Sequence, residues 1–159
     1  MPTTPELVSL VRRFLDGAEA LHPVIDGLTE QQLDSHPVPG TWSLRELVIH
    51  VMDSDLIATH RMKRIVAEEL PLLISYDETA FAKKLYGPHL SARLACDLFR
   101  LNRMQMAEIL GKLPEEAFAR EGVHNQRGKV TLREMVGMYV HHVDHHNKFA
   151  AEKRRVMGK

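Results

Sequence analysis

Four of the ten histidines fall within six residues, His141, His142, His145 and His146, in the segment V-T-L-R-E-M-V-G-M-Y-V-H-H-V-D-H-H-N-K-F that begins at Val130. Read as a helix, this segment has an apolar stripe at Leu132, Met135, Val136, Tyr139, Val143 and Ala150, in steps of three and four. His142 and His146 lie on that stripe; His141 and His145 leave it and are expected to face solvent or a second subunit. An imidazole turned toward a core needs a hydrogen bond or a coordination bond, because a buried polar group without a partner costs about 1 to 3 kcal/mol. Two imidazoles one helical turn apart can reach a single metal ion. A third candidate is His50, which follows Leu47 and precedes Val51 on another apolar helical pattern. Three neutral imidazoles from two facing helices would form a catalytic type of metal site with open positions, whereas structural sites are closed by four protein ligands. Nitrogen donors without thiolate favour zinc, nickel, copper or iron over calcium or magnesium, and availability rather than affinity chooses among them, with zinc or nickel expected first. On spacing alone, a set of hydrogen-bonded boundary histidines explains the same pattern, and both readings stay open. There is no H-E-x-x-H, since Val143 and Asp144 follow His142, so the glutamate base of zincin proteases is missing.

The elements that must position these residues read as four long helices. Thr4-Pro5 starts the first, whose apolar positions Leu7, Leu10, Val11, Phe14, Leu15 and Ala18 carry it to about Leu21, where His22-Pro23 ends it. Leu28 to Gly40 reads as a connection with one helical turn over Glu30 to Leu33. The second long helix opens on a capping box, Ser43 with Glu46, with Trp42 expected to staple onto Leu47, and runs to about Glu69 before Pro71. A long crossover, Leu70 to Leu90, implies that the second and third helices are not simple hairpin neighbours. Ser91 caps the third helix, whose expected core stripe is Leu94, Leu98, Leu101, Met104 or Gln105, and Glu108 or Ile109. The last helix repeats the capping box as Thr131 with Glu134, and Val130 is expected to pack onto Met135. No segment shows period-two alternation, so the predicted class is all-α, a four-helix bundle in one domain over residues 1–159.

Bulk properties exclude several functions. Lys plus Arg and Asp plus Glu balance at 21 each, which leaves no electrostatic footprint for nucleic acid or an anionic membrane. No apolar run approaches a membrane span and Met1-Pro2 opens no signal peptide, so a cytoplasmic protein acting on a small molecule is expected. The single cysteine, Cys96, cannot form an intrachain disulfide and reads as a packed thiol. Asp53 and Asp144 are possible partners of the histidines, although exposed helix carboxylates explain them as well. Tyr76 and Asp77 are candidates to fold over the mouth of the bundle.

Pro39-Gly-Thr-Trp-Ser43 with Glu46, His50-Val-Met-Asp53, the Tyr76-Asp77 loop and His142-Val-Asp-His145-His146 together resemble the DinB/YfiT-like superfamily, from about Leu28 to Phe149. The resemblance implies a four-helix bundle, often a homodimer, that binds a divalent metal through one histidine of the second helix and two of the last. By position these are His50, His142 and His146. The family commonly has glutamine three residues after the last ligand, where this chain has Phe149. The resemblance further implies a thiol-dependent S-transferase or isomerase in which metal activates the sulfur of a low-molecular-weight thiol cosubstrate. The alternatives are a metal-dependent hydrolase using activated water and a non-enzymatic metal-binding bundle. Because histidine ligands must be neutral, metal affinity is expected to fall below about pH 6 to 6.5.

Overall fold

The computed structural model describes all 159 residues. Its long helices are α1 (Pro5–Asp16), α4 (Leu44–Ala67), α6 (Ala92–Lys112) and α7 (Leu132–Val156). Short helices α2 (His22–Ile25) and α3 (Glu30–Asp34) join α1 to α4, and the crossover from α4 to α6 carries β1 (Leu72–Leu73) and α5 (Glu78–Lys84). Strands β2 (Glu121–His124) and β3 (Gly128–Thr131) precede α7. The architecture is the expected four-helix bundle, with a small sheet in the order β1-β2-β3 added to it. β1 pairs parallel with β2, and β2 pairs antiparallel with β3. Strands of two to four residues are too short to show alternation, so this sheet leaves no periodic signal in the sequence.

Capping boxes open α4 at Ser43 and Glu46 and α7 at Thr131 and Glu134, and a third opens α3 at Thr29 and Gln32. α1 is shorter than expected: it ends at Asp16, and His22-Pro23 starts α2, because proline suits a first helical turn as well as it stops a preceding one. Trp42 packs with Ile49, Ala82 and Tyr86 rather than joining the cluster that holds Leu47, because α5 supplies apolar surface there. Val130 and Met135 share one core cluster, as expected for a staple.

α4 packs on both α6 and α7, and α1 packs on the same two helices from the opposite side. Asp55 bonds Asn102 and Arg103, and Lys63 bonds Gln105, so α4 and α6 run parallel and need the long crossover between them. α4 and α7 run antiparallel: His50 meets His146, while Met62 and Ile65 share a core with Leu132 and Met135.

The stripe expected on the third helix is not its buried face. Leu94, Leu98, Leu101 and Met104 are 42–57% exposed, whereas Ala95, Cys96, Phe99, Arg103, Met106 and Leu110 are buried. The reason is a charge that finds partners inside. Arg103 bonds Asp55 Oδ1 through Nε and Nη2 at 2.9 and 2.8 Å, donates to the Tyr139 carbonyl at 2.7 Å, and lies over the Phe14 and Phe99 rings. With its donors satisfied, a guanidinium can sit on a core face that hydropathy would assign to leucines. No helix is long and apolar enough to cross a membrane.

Candidate metal centre

The Ser43 capping box sets the register of α4 and puts His50 on its inward face, two turns in. The Thr131 box does the same for α7, with His142 and His146 one turn apart. Antiparallel packing then brings the three together: the His50 ring centroid lies 5.3 Å from that of His142 and 4.8 Å from that of His146, and the latter two are 4.5 Å apart. One ring nitrogen from each histidine lies within 4.8 Å of the other two, and the Nε2 atoms of His142 and His146 are 3.1 Å apart. Two nitrogens about 2.1 Å from one tetrahedral ion would be about 3.4 Å apart, so the spacing suits a shared cation.

The electrostatics point the same way. Burial, with the neighbouring His146, pushes the His50 pKa down to about 4; burial and the other histidines push His142 down to about 3; burial and His145 push His146 down to about 4. All three rings are therefore neutral at pH 7, which is the form that ligates metal. His50 Nδ1 and His142 Nδ1 are buried without a hydrogen-bond partner, and the Nε2 contact between His142 and His146 is the hydrogen bond the triad makes within itself. The residues fit a divalent metal. Because burial already holds the rings neutral well below the ordinary imidazole value, the loss of metal with falling pH is expected below the 6 to 6.5 of a free histidine.

The other candidates fall outside this triad. His141 and His145 are exposed and line the outer wall of the adjoining cavity. Phe149 stacks edge-on against His145 at 4.8 Å and lies 6.4 Å from the His146 ring. Asp53 accepts a hydrogen bond from the Tyr86 hydroxyl at 3.0 Å, and Asp144 pairs with Arg13 at 3.2 Å, so neither supports a histidine. Cys96 is fully buried beside Phe99, and burial pushes its thiol up to about 12, which makes it inert.

Tyr76 does fold back onto α4, its hydroxyl 2.5 Å from Ser54 Oγ, and Asp77 caps α5 by accepting from the Ala80 N–H. This places Glu78, unremarked in the sequence, with Oε2 3.9 Å from His50 Nε2. The loop, α4, α7 and the β2–β3 hairpin enclose a cavity of about 950 Å³ that has His142 and Tyr139 on its wall. Arg61 lines it too; its signal was an arginine on the core face of α4, eleven residues beyond His50.

Residues 13–150 match the sequence profile of the DinB superfamily. The chain is 30% identical over 143 residues to YfiT of Bacillus subtilis, which covers 87% of this chain and 78% of that protein; its name proposes a metal-dependent hydrolase. A relative from Oceanobacillus iheyensis with the same proposed activity is 30% identical over 123 residues, 77% of this chain and 70% of its own length. The solved structure of B. subtilis YfiT, described as a four-helix bundle of unusual topology, superposes with a TM-score of 0.90 at 24% identity, covering 99% of this chain and 91% of that one. The mycothiol-dependent maleylpyruvate isomerase shares the fold with a TM-score of 0.69 at 19% identity, covering 92% of this chain and 62% of the isomerase.

Proposed function

The chain belongs to the DinB superfamily, and from that premise we propose that it is a metal-dependent enzyme of the thiol S-transferase type. The observation that carries the reading is the convergence of three neutral imidazoles, their nitrogens within 4.8 Å of one another, one of which, His142, lines a cavity of about 950 Å³. His50, His142 and His146 would hold the metal, zinc or nickel ahead of iron or copper, and three protein donors fall short of zinc's usual four. A divalent cation bound there would supply the Lewis acidity that turns a thiol or water into a nucleophile at neutral pH.

The chain's own residues support the rest. Cys96 is inert, so the reactive sulfur must come from a low-molecular-weight cosubstrate. The cavity is at the upper end of the usual range for small-molecule sites, which suits two substrates better than one. Glu78 Oε2 stands at the edge of the histidine cluster, where a carboxylate can accept the thiol proton, and Tyr76 closes the adjacent loop against α4.

A metal-dependent hydrolase is the second reading, favoured by the same Glu78 carboxylate, which would serve water equally well, and by the proposed activity of the B. subtilis and O. iheyensis relatives. The deciding assay offers the zinc- and nickel-loaded protein a thiol with 1-chloro-2,4-dinitrobenzene, and separately p-nitrophenyl acetate without thiol. Metal-dependent conjugation that disappears in His146→Ala is expected. Thiol-independent ester turnover would establish the hydrolase instead, and stoichiometric metal with neither activity would reduce the chain to a metal-binding bundle.

A further inference from the structure

Three arginines are buried in this protein, and they are not equivalent. Arg45 is paired with Asp34 and Glu30, and Arg103 with Asp55. Arg61, only 7% exposed, has no carboxylate within 4 Å: Nη2 donates to the Ile74 carbonyl, and Nε is buried with no partner at all. A buried guanidinium is costly without a counter-charge, and this one lines the cavity that His142 also lines.

Its surroundings are cationic or hydrogen-bond donating. Tyr139 lines the cavity with Arg61, and its ring lies 5.6 Å from that of His142. His124 is 6% exposed, and burial together with the Arg61 and Arg127 charges lowers its pKa, so the ring is neutral. Its Nδ1 accepts the Gln126 N–H, which places the ring proton on Nε2 as a donor. Arg127, on the exposed turn between β2 and β3, lines the same end. The cavity's acidic residues are engaged elsewhere: Asp77 caps α5 and Glu78 lies beside His50.

We infer that Arg61, with Tyr139, His124 and Arg127, forms an anion subsite next to the three histidines that binds the carboxylate of a small organic substrate or cosubstrate. The planar fork of arginine matches a carboxylate, and Nη1, which bonds no protein group and is not fully buried, is the donor such a group would take up. The subsite orients the ligand along the cavity, its anionic end at Arg61 and its reacting end at the triad. The inference rests on the cavity being the substrate site, but not on which metal or nucleophile works there.

The test is an NMR titration of the full-length protein, with zinc and after chelation, using butyrate, butyramide and inorganic phosphate. The probe signal is the Arg61 Nε–H resonance, identified by its absence in Arg61→Lys. Butyrate should shift it saturably and butyramide should not; followed by saturation transfer to the butyrate methyl group, which does not depend on the Arg61 signal, butyrate should bind about tenfold more weakly to Arg61→Lys. Arg127→Gln, on an exposed turn that tolerates substitution, should weaken binding in the same direction by about threefold. Equal affinity for wild type and Arg61→Lys, or binding that vanishes on removing zinc, would make the carboxylate a metal ligand and overturn the subsite. Phosphate binding about tenfold tighter than butyrate would overturn the assignment to carboxylates. Retained butyrate binding in a protein that conjugates no thiol would leave the subsite standing and dismiss the transferase reading alone.

Discussion

Replacing His50 by glutamine should remove a measurable part of the acid sensitivity of the metal-free protein. His50 is 1% exposed, and its pKa in the folded protein is pushed down from 6.5 to about 4. In the unfolded chain the ring titrates at its ordinary value, so between those two pH values the unfolded state takes up a proton that the folded state refuses. Stability is therefore intact above about pH 6.5 and is lost progressively as the pH falls toward 4. For His50 alone the loss comes to about 2 kcal/mol at pH 5 and about 3 kcal/mol at pH 4. That is a large fraction of the 5 to 15 kcal/mol typical of a folded domain. His142 and His146 are shifted in the same direction, but they are coupled through their 3.1 Å contact, so the three contributions do not simply add. The assay is urea unfolding followed by circular dichroism, in EDTA, from about pH 7.5 to about pH 5 for wild type and His50→Gln. The stability of wild type should fall by about 2 kcal/mol more than that of the variant over this range. Parallel pH profiles would show that His50 is not desolvated in the folded protein and would refute the electrostatic account of the triad.

Metal analysis should find about one ion per chain in wild type and almost none in His142→Ala or His146→Ala, since removing one ligand of three forfeits much of the binding energy; a folded wild type that cannot be loaded with zinc or nickel would dismiss the site. Titrated against pH, metal affinity should stay nearly flat down to about pH 5 and fall steeply near pH 4, and a midpoint near 6.5 would contradict the buried, neutral rings. Arg103→Met should cost about 3 to 5 kcal/mol in urea unfolding by stranding the Asp55 carboxylate, and Arg103→Met with Asp55→Leu should recover most of it; no difference between single and double variants would mean the pair is not coupled. The homodimer implied by the family likeness is proposed to form on the exposed α6 stripe, so Leu98→Asp and Leu101→Asp should convert a dimer to monomer in sedimentation equilibrium. A wild type that sediments as monomer would remove that proposal.

Local chemistry by itself determined where the principal helices begin and which faces of α4 and α7 turn inward. Ser43 with Glu46 and Thr131 with Glu134 are self-contained cap signals, and a three-to-four residue period places Leu47, His50, Val51, His142, Val143 and His146 on inward faces without reference to any other part of the chain. That singles out the three histidines as candidates, because helix geometry converts residue number directly into direction, while the family resemblance is what implies that they ligate a metal. The inward face of α6 is beyond such reasoning: hydropathy favours its leucines for the core, whereas the buried face carries Arg103, which pairs with Asp55, a partner 48 residues away. Glu78 and Arg61 carry no local signal that assigns them to the site, for a similar reason. Glu78 reaches His50 only because the crossover folds back onto α4, and Arg61 faces a cavity only because the β2–β3 hairpin closes over it. Which charges are buried, and which of them lack a partner, is decided by contacts distant in sequence, since the free energy of a charge depends on the groups that surround it in space.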